Sequence, residues 1–384
     1  MRLIIALHKE ADRDQFIRDL NDSGTQWEAL ELPRFFVVRG YSPTNFKLAG
    51  HPSIESVSED LPLRPAARQS LAIDESLTTA NWGIARIIRR APPWSAAKPR
   101  FPLANDTFFE CARDGAGVDI YIADSGIRAG HDEFGGRATV ISGAYSDSDD
   151  PYGHGTSCLS LAAGNTVGVA RGASLFSSQC LDSSGAGTES GLIACLGHIL
   201  THYNGRSGPA VLSLSLNFGS STIASAIGDL IDAGVVVVAS AGNGMSDLAT
   251  VNAYPAEVTD VICVGGIGVA DIPYYRCTDG TNWGTRIDVS APAQRQWTAE
   301  RATASSYRNF TGTSGACPLV AGAIACMLQG HARLTTRAQV QAIRAHVMAE
   351  ATTGRLTNQF GITLPDRILY LDPLQTAPEP ITGL

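Results

Sequence analysis

Apolar positions along this chain follow two different rhythms, and the change falls near residue 75. In the first 62 residues an apolar strand at Leu3–Leu7 precedes a helical spacing through Phe16, Ile17 and Leu20, followed by strands around Arg34–Val38 and Ile54–Val57. This predicts a small α+β unit. A unit of about 60 residues buries proportionally little surface, so it is expected to lean on a larger body. From Pro62 to Thr79 the periodicity is lost and prolines collect, which reads as a connector, and Ala91 to Phe109 is irregular again. Beyond it, unbroken apolar runs at Val118–Ala123, Leu175–Gln179, Val211–Leu216, Val235–Ala239 and Val261–Val264 alternate with helical spacings. The helices are predicted at Gly155–Ala163, Thr188–His202, Thr222–Asp232, Thr313–Gln329 and Thr335–Met348. Strands without in–out alternation are covered on both faces, so the fold class is α/β, a mostly parallel sheet sandwiched by helices. The segment from Pro373 carries no periodicity and is expected to be a surface tail, which divides the chain into residues 1–75, 76–372 and 373–384.

Composition narrows the function. With 44% hydrophobic and 17% charged residues the 384-residue chain is not disordered, and a net charge of -8 lacks the basic excess that binding phosphate backbones requires. Nucleic acid is excluded as the expected partner. No stretch approaches the ~20 apolar residues of a membrane span, and Leu3–Leu7 is too short for the ~7–15-residue core of an export signal. No membrane partner is therefore expected, and the chain is expected to be cytoplasmic or exported by a nonclassical route. The eight cysteines form no CxxC pair and no zinc spacing, which predicts buried free thiols in a reducing compartment.

Open parallel sheets present reactive groups at the carboxyl ends of their strands. The strand Val118–Ala123 runs into Asp124-Ser-Gly126, Gly153-His154-Gly-Thr opens an apolar helix, and Gly312-Thr-Ser314 opens a long small-residue helix. Each has an ordinary reading, as a turn cap, a structural imidazole and an N-capping serine. Together they stand at the expected element ends, in the order Asp, His, Ser, separated by 30 and 160 residues. Another strand ends in Ser240-Ala-Gly-Asn243, which puts a side-chain amide where an oxyanion donor is needed.

Over most of residues 80–350 the chain resembles the subtilase family, and within it the proteinase K branch. The matching segments are Asn81–Arg86, Ile120–Ile127, His131–Phe134, the Gly-His-Gly-Thr block at His154, Leu212–Leu216, Ala241–Asn243, Tyr254–Ala256, Asp288–Pro292 and Gly312–Ser314. Residues 1–62 resemble the family's inhibitory, ferredoxin-like propeptide, chiefly through His51–Asp60. The resemblance implies a subtilisin-like fold and a serine endopeptidase that processes its own N-terminal prodomain. In it Ser314 is the nucleophile, His154 the base, Asp124 the orienting acid and Asn243 an oxyanion donor. Ser215, Leu216 and Asn217, with Ala239, Ser240, Ala241 and Gly242, would form the walls that hold an extended peptide. Small residues along them suggest an open pocket for apolar or aromatic side chains. The resemblance also implies a structural calcium at Asp288 with carbonyls near Asp260 and Ile262, and a chemistry that needs no cofactor. Peptide or protein substrates and the chain's own prodomain are the expected partners, and a monomer the expected state.

Departures from the family pattern are Gly315-Ala-Cys317 after Ser314, Asn217 where glycine is commoner, which is expected to narrow the substrate groove, and Gln341 near the expected partner of Cys263, so that disulfide should be absent. Cys158 matches a buried thiol of the branch that makes it sensitive to thiol-binding metals. The competing readings are a catalytically silent protein with a permanently plugged groove, and a specialised leader-peptide protease or acyl transferase. An α/β-hydrolase is disfavoured because its serine precedes its acid and histidine.

Overall fold

The computed structural model describes residues 2–9, 11–22, 26–30, 32, 34–39, 51–59, 62–65, 82–91, 111–145, 149–218, 220–376, 378 and 381–384. The predicted connector beyond Pro65, Asn81 and the irregular stretch after Ala91 lie outside them. The N-terminal unit contains β1 (Arg2–Leu7), α1 (Arg13–Asp22), β2 (Gln26–Ala29), β3 (Phe35–Arg39) and β4 (Ile54–Glu59), in an antiparallel sheet of order β2-β3-β1-β4. Strand alternation gives this sheet two apolar faces. Leu3, Ile5, Leu7, Phe36 and Val38 close on Phe16 and Leu20 of α1, while Ile4, Ala6, Phe35 and Val37 join the core of the larger body. The unit leans on that body, as its size required.

A short strand β5 (Pro62–Pro65) and helix α2 (Trp82–Ile87) precede the larger body. Its first half holds β6 (Asp119–Asp124), β7 (Ala138–Val140), α3 (His154–Ala163), β8 (Ser174–Gln179), β9 (Gly187–Thr188), α4 (Glu189–Asn204), β10 (Ala210–Leu214), β11 (Leu216–Asn217) and α5 (Ile223–Asp232). Then follow β12 (Val235–Ser240), β13 (Ile262–Ile267), β14 (Val289–Pro292), β15 (Gln296–Ala299), β16 (Tyr307–Phe310), α6 (Thr313–Leu328) and α7 (Arg337–Glu350). The seven-stranded sheet has the order β14-β13-β12-β10-β6-β8-β7, and every neighbouring pair is parallel. Helices α3 and α6 pack on one face, α4, α5 and α7 on the other. Strands β10 and β12 are therefore buried along their whole length, which is why their sequences read as unbroken apolar runs.

Every residue of α6 is buried, and its many Ala and Gly residues let backbones approach closely. A Cβ at Gly322 would stand 2.3 Å from the Ala162 carbonyl oxygen of α3, so only glycine permits this contact. Three expectations need correction. Pro62–Pro65 is a strand and not a connector, pairing antiparallel with β11 on one side and β9 on the other. The final segment is not wholly a surface tail, because Ile381 belongs to the core. Seven cysteines are buried or half-buried, but Cys277 is exposed.

Replacing Gly322 with Ala is expected to destabilise the protein by about 1–3 kcal/mol through overpacking at the α3–α6 contact. Denaturant titration checks it, and an unchanged midpoint would mean the two helices are not pinned there.

Candidate active site

The site stands at the carboxyl ends of β6, β10 and β12, where the N-termini of α3 and α6 converge. Asp124 closes β6 and His154 opens α3, and both side chains are buried. The His154 Nδ1 lies 2.8 and 2.9 Å from the two Asp124 carboxylate oxygens. This contact requires glycine at 155, since a Cβ there would meet the Gly126 carbonyl oxygen at 2.1 Å.

The orientation of His154 is fixed by a residue that sequence reasoning missed. Gly153 caps α3 without a side chain, and the Asp150 carboxylate supplies the missing acceptor. Its Oδ1 accepts from the Gly153 amide at 2.6 Å and the Ser125 hydroxyl at 2.8 Å, and its Oδ2 accepts from the Thr156 amide at 2.8 Å. An anion at a helix N-terminus satisfies orphan donors and complements the helix dipole. Ser125, next to Asp124, in turn accepts from the Gly155 amide, so one carboxylate ties the acid's loop to the histidine's helix. Arg308 completes the clamp from the other side, donating to the Gly153 carbonyl at 2.7 Å and the Ser157 hydroxyl at 2.9 Å. The available signal was an acidic residue four positions before the histidine.

Ser314 sits in the first turn of α6. Pro318, four residues on, has no N–H to offer the Ser314 carbonyl, which instead accepts from the Cys158 thiol at 3.4 Å and the Ser215 hydroxyl at 3.1 Å. Cys158 lies 3.7 and 3.9 Å from the ring nitrogens of His154, so the thiol sits between histidine and serine. Burial raises its pKa well above the usual thiol value, which keeps it protonated. The Ser314 hydroxyl donates to the Ser215 carbonyl at 3.2 Å and makes no hydrogen bond to His154 in this structure. The acid–base half of the predicted triad is thus in contact, and the serine is adjacent with its hydroxyl turned to β11. Asn243 lies across the same helix start, its Oδ1 accepting from the Thr313 amide at 2.9 Å and the Thr313 hydroxyl at 3.0 Å. That fixes the amide so that its buried Nδ2 carries no partner. Such a donor, held ready for an acceptor, is what a developing oxyanion requires.

The departures near Ser314 are accommodated. The Cys317 thiol, raised to about 11 by burial, lies 3.7 and 3.5 Å from the Leu214 and Val238 carbonyls. A Cβ at Gly315 would find the Phe310 ring at 3.3 Å, so that ring occupies the side. Ser215, Leu216 and Asn217 continue β10, while Ala239 and Ser240 end β12 and Ala241 and Gly242 continue it, as two adjacent walls.

The residues expected to hold calcium carry positive charge of their own. Asp288 Oδ2 accepts from the Cys263 amide at 2.9 Å, Arg286 Nη1 at 3.0 Å and Arg344 Nε at 3.1 Å, and its Oδ1 accepts from Arg344 Nη2 at 2.6 Å. Asp260 is held by Arg337 and by Gln341 Nε2, the latter at 3.0 Å, and the Val258 and Val261 carbonyls accept from Arg286. Ile262 is buried in β13. Guanidinium groups fill the coordination that a cation would need, so this set does not fit calcium. Cys263 is a free thiol, pushed up to about 12 by burial. The described His, Cys, Asp and Glu side chains converge in one metal-compatible cluster, Asp124, His154 and Cys158, a donor set for a soft ion.

Residues 115–363 match the family model described as the subtilase family. The chain belongs to the subtilases. It is 32% identical over 342 residues to alkaline serine exoprotease A of Vibrio alginolyticus, an alignment covering 87% of this chain and 58% of that one. To proteinase R of Parengyodontium album it is 31% identical over 287 residues, covering 73% and 66%. The extracellular serine proteinase of a Thermus species is 31% identical over 330 residues, covering 84% and 72%. The chain spans about three fifths of the length of the first of these relatives. The solved structure of a cold adapted subtilisin-like serine proteinase matches with a TM-score of 0.64 and 31% identity, over 76% of this chain and 98% of that one. The α/β class read from the apolar runs and the subtilisin-like fold implied by the resemblance are thereby established.

Chelator titration of this subtilase is expected to leave its Tm unchanged. Arg344→Gln strands part of a carboxylate only 3% exposed and should lower stability by about 1–3 kcal/mol. A chelator-dependent fall in Tm would contradict the guanidinium assignment.

Proposed function

We propose that this subtilase is a serine endopeptidase that cuts its own chain beyond the N-terminal unit. Ser314 attacks the peptide carbonyl, His154 takes the hydroxyl proton and returns it to the leaving amine, and Asp124 holds the imidazole tautomer and stabilises the imidazolium. Asn243 Nδ2 receives the tetrahedral oxyanion, a contribution of about 3–4 kcal/mol to the barrier. For the first step the Ser314 hydroxyl turns from the Ser215 carbonyl to His154. A peptide strand that engages that carbonyl favours the turn by replacing the serine as its donor.

The observation that carries this reading is β5. Asn217 pairs with Arg64 and Leu216 with Pro65, so the chain's own backbone lies as an added strand against the groove wall. Gly187 and Thr188 pair with its other edge. The same wall continues to Ser215, whose carbonyl accepts from the Ser314 hydroxyl. A substrate strand that kept this register would present to the nucleophile the bond that follows the residue opposite Ser215, which in the sequence of this chain is the bond between Ala66 and Ala67.

The N-terminal unit supports a prodomain role. Against α5, Arg34 donates to Asp229 at 3.1 Å, Lys9 pairs with Asp232, and the Ser225 hydroxyl donates at 2.8 Å to Glu55, which Arg34 also holds at 2.5 Å. Because the inhibitory strand comes from the same chain, no second copy is required, which supports a monomer. No described helix is long and apolar enough to cross a membrane. Eight unpaired cysteines support a compartment that keeps thiols reduced.

A silent protein with a plugged groove would show the same β5 pairing, and processing separates the two. Mass spectrometry of purified wild-type protein should find a new N-terminus at Ala67, and Ser314→Ala should remain full length. One uncut species in both, or equal cutting in both, would overturn the reading.

A further inference from the structure

We propose that Asn217 sets the substrate preference of this site by closing the pocket to all but small side chains at the residue that acylates Ser314. The proposal rests on the endopeptidase reading above. Read from sequence, the small residues along the two walls suggest an open pocket and Asn217 a narrower groove, and the side-chain geometry favours the second.

The walls are the continuations of two neighbouring parallel strands, β10 and β12. Both reach the start of α6: the Ser215 carbonyl accepts from the Ser314 hydroxyl at 3.2 Å, and the Gly242 amide donates to the Thr313 hydroxyl at 3.2 Å. The slot between them therefore opens at the nucleophile. A peptide paired with Leu216 and Asn217 as β5 is, with its carbonyl at Ser314, places its acyl residue at the mouth of this slot.

Asn217 spans the slot. Its Nδ2 donates to the Ser240 carbonyl at 3.4 Å and its Oδ1 accepts from the Ser240 hydroxyl at 3.5 Å, so both ends of the amide are engaged by the opposite wall. The amide also lies against Gly242, where a Cβ would fall 3.4 Å from Asn217 Nδ2 and 3.5 Å from its Cγ. Asn282 closes the far side: its Nδ2 donates to the Ala241 carbonyl at 2.8 Å and would stand 2.6 Å from the same Cβ. The small wall residues make room for these two amides. A methyl or hydroxymethyl group fits above them, whereas an aromatic ring must displace Asn217 and leave its polar atoms without partners. The acyl residue of the proposed self-cleavage, at position 66, is alanine.

The test uses the enzyme expressed as the whole chain and allowed to process itself, with peptide anilides of one sequence, Leu-Arg-Pro-X, with X as Ala, Ser, Leu or Phe. The expected result is a kcat/KM for Ala and Ser roughly tenfold or more above that for Phe, and a Phe-to-Ala ratio that rises by about tenfold in Asn217→Gly. Asn217→Leu, which refills the slot without an amide, should keep the small-residue preference, and thermal melting shows that each variant is folded. A wild-type preference for Phe, or a Phe-to-Ala ratio unmoved by Asn217→Gly, overturns the pocket assignment while hydrolysis that depends on Ser314 leaves the endopeptidase reading standing. Failure to hydrolyse any X, with Ser314→Ala indistinguishable from wild type, removes that reading and the pocket with it.

Discussion

The contact between α3 and α6 is the constraint on which the rest depends. Two helices distant in sequence approach until the backbone of one touches the other, which needs Gly322 beside the Ala162 carbonyl and a helix rich in small residues. One helix begins with His154 and the other carries Ser314 in its first turn, so their packing brings the proposed base and nucleophile to one rim of the sheet. Pro318 extends the effect. By leaving the Ser314 carbonyl without its helical donor, it lets Cys158 of α3 and Ser215 of the groove wall bond to it, which ties helix, helix and wall at a single atom.

Fixed charge organises the surroundings of that contact. Asp150 and Arg308 hold the start of α3 from opposite sides, and Arg286 and Arg344 neutralise Asp288 under the sheet edge. In both places the chain supplies the counter-charge itself. The guanidinium group suits the second role because its planar fork satisfies several oxygens at once.

Most of the fold was legible because the central strands are covered on both faces, and burial of that kind writes continuous apolar runs into the sequence. Asp124, His154, Ser314 and Asn243 were legible because glycines mark the sharp turns at strand and helix ends. What was missed depended on partners distant in sequence. β7 is three residues long and only partly buried, so it carries no pattern of its own. β5 contains two prolines, residues normally confined to strand edges or ends, and it exists because β9 and β11 receive it. Asp288 was read as a calcium ligand because Arg344, 56 residues away, cannot be placed beside it by spacing. Ser215, Ser240 and Gly242 were read as an open wall, and Asn217 as narrowing the groove, but nothing in their spacing shows that the Asn217 amide lies across to Ser240.

The central claim is that a buried acid–imidazole pair activates the hydroxyl of Ser314. Peptide mapping after reaction with a fluorophosphonate tests it most directly. The account predicts a single adduct, on Ser314, whose rate of formation collapses in His154→Ala. Absence of an adduct on the processed protein, or labelling of Ser314 at the same rate without the imidazole, would contradict it.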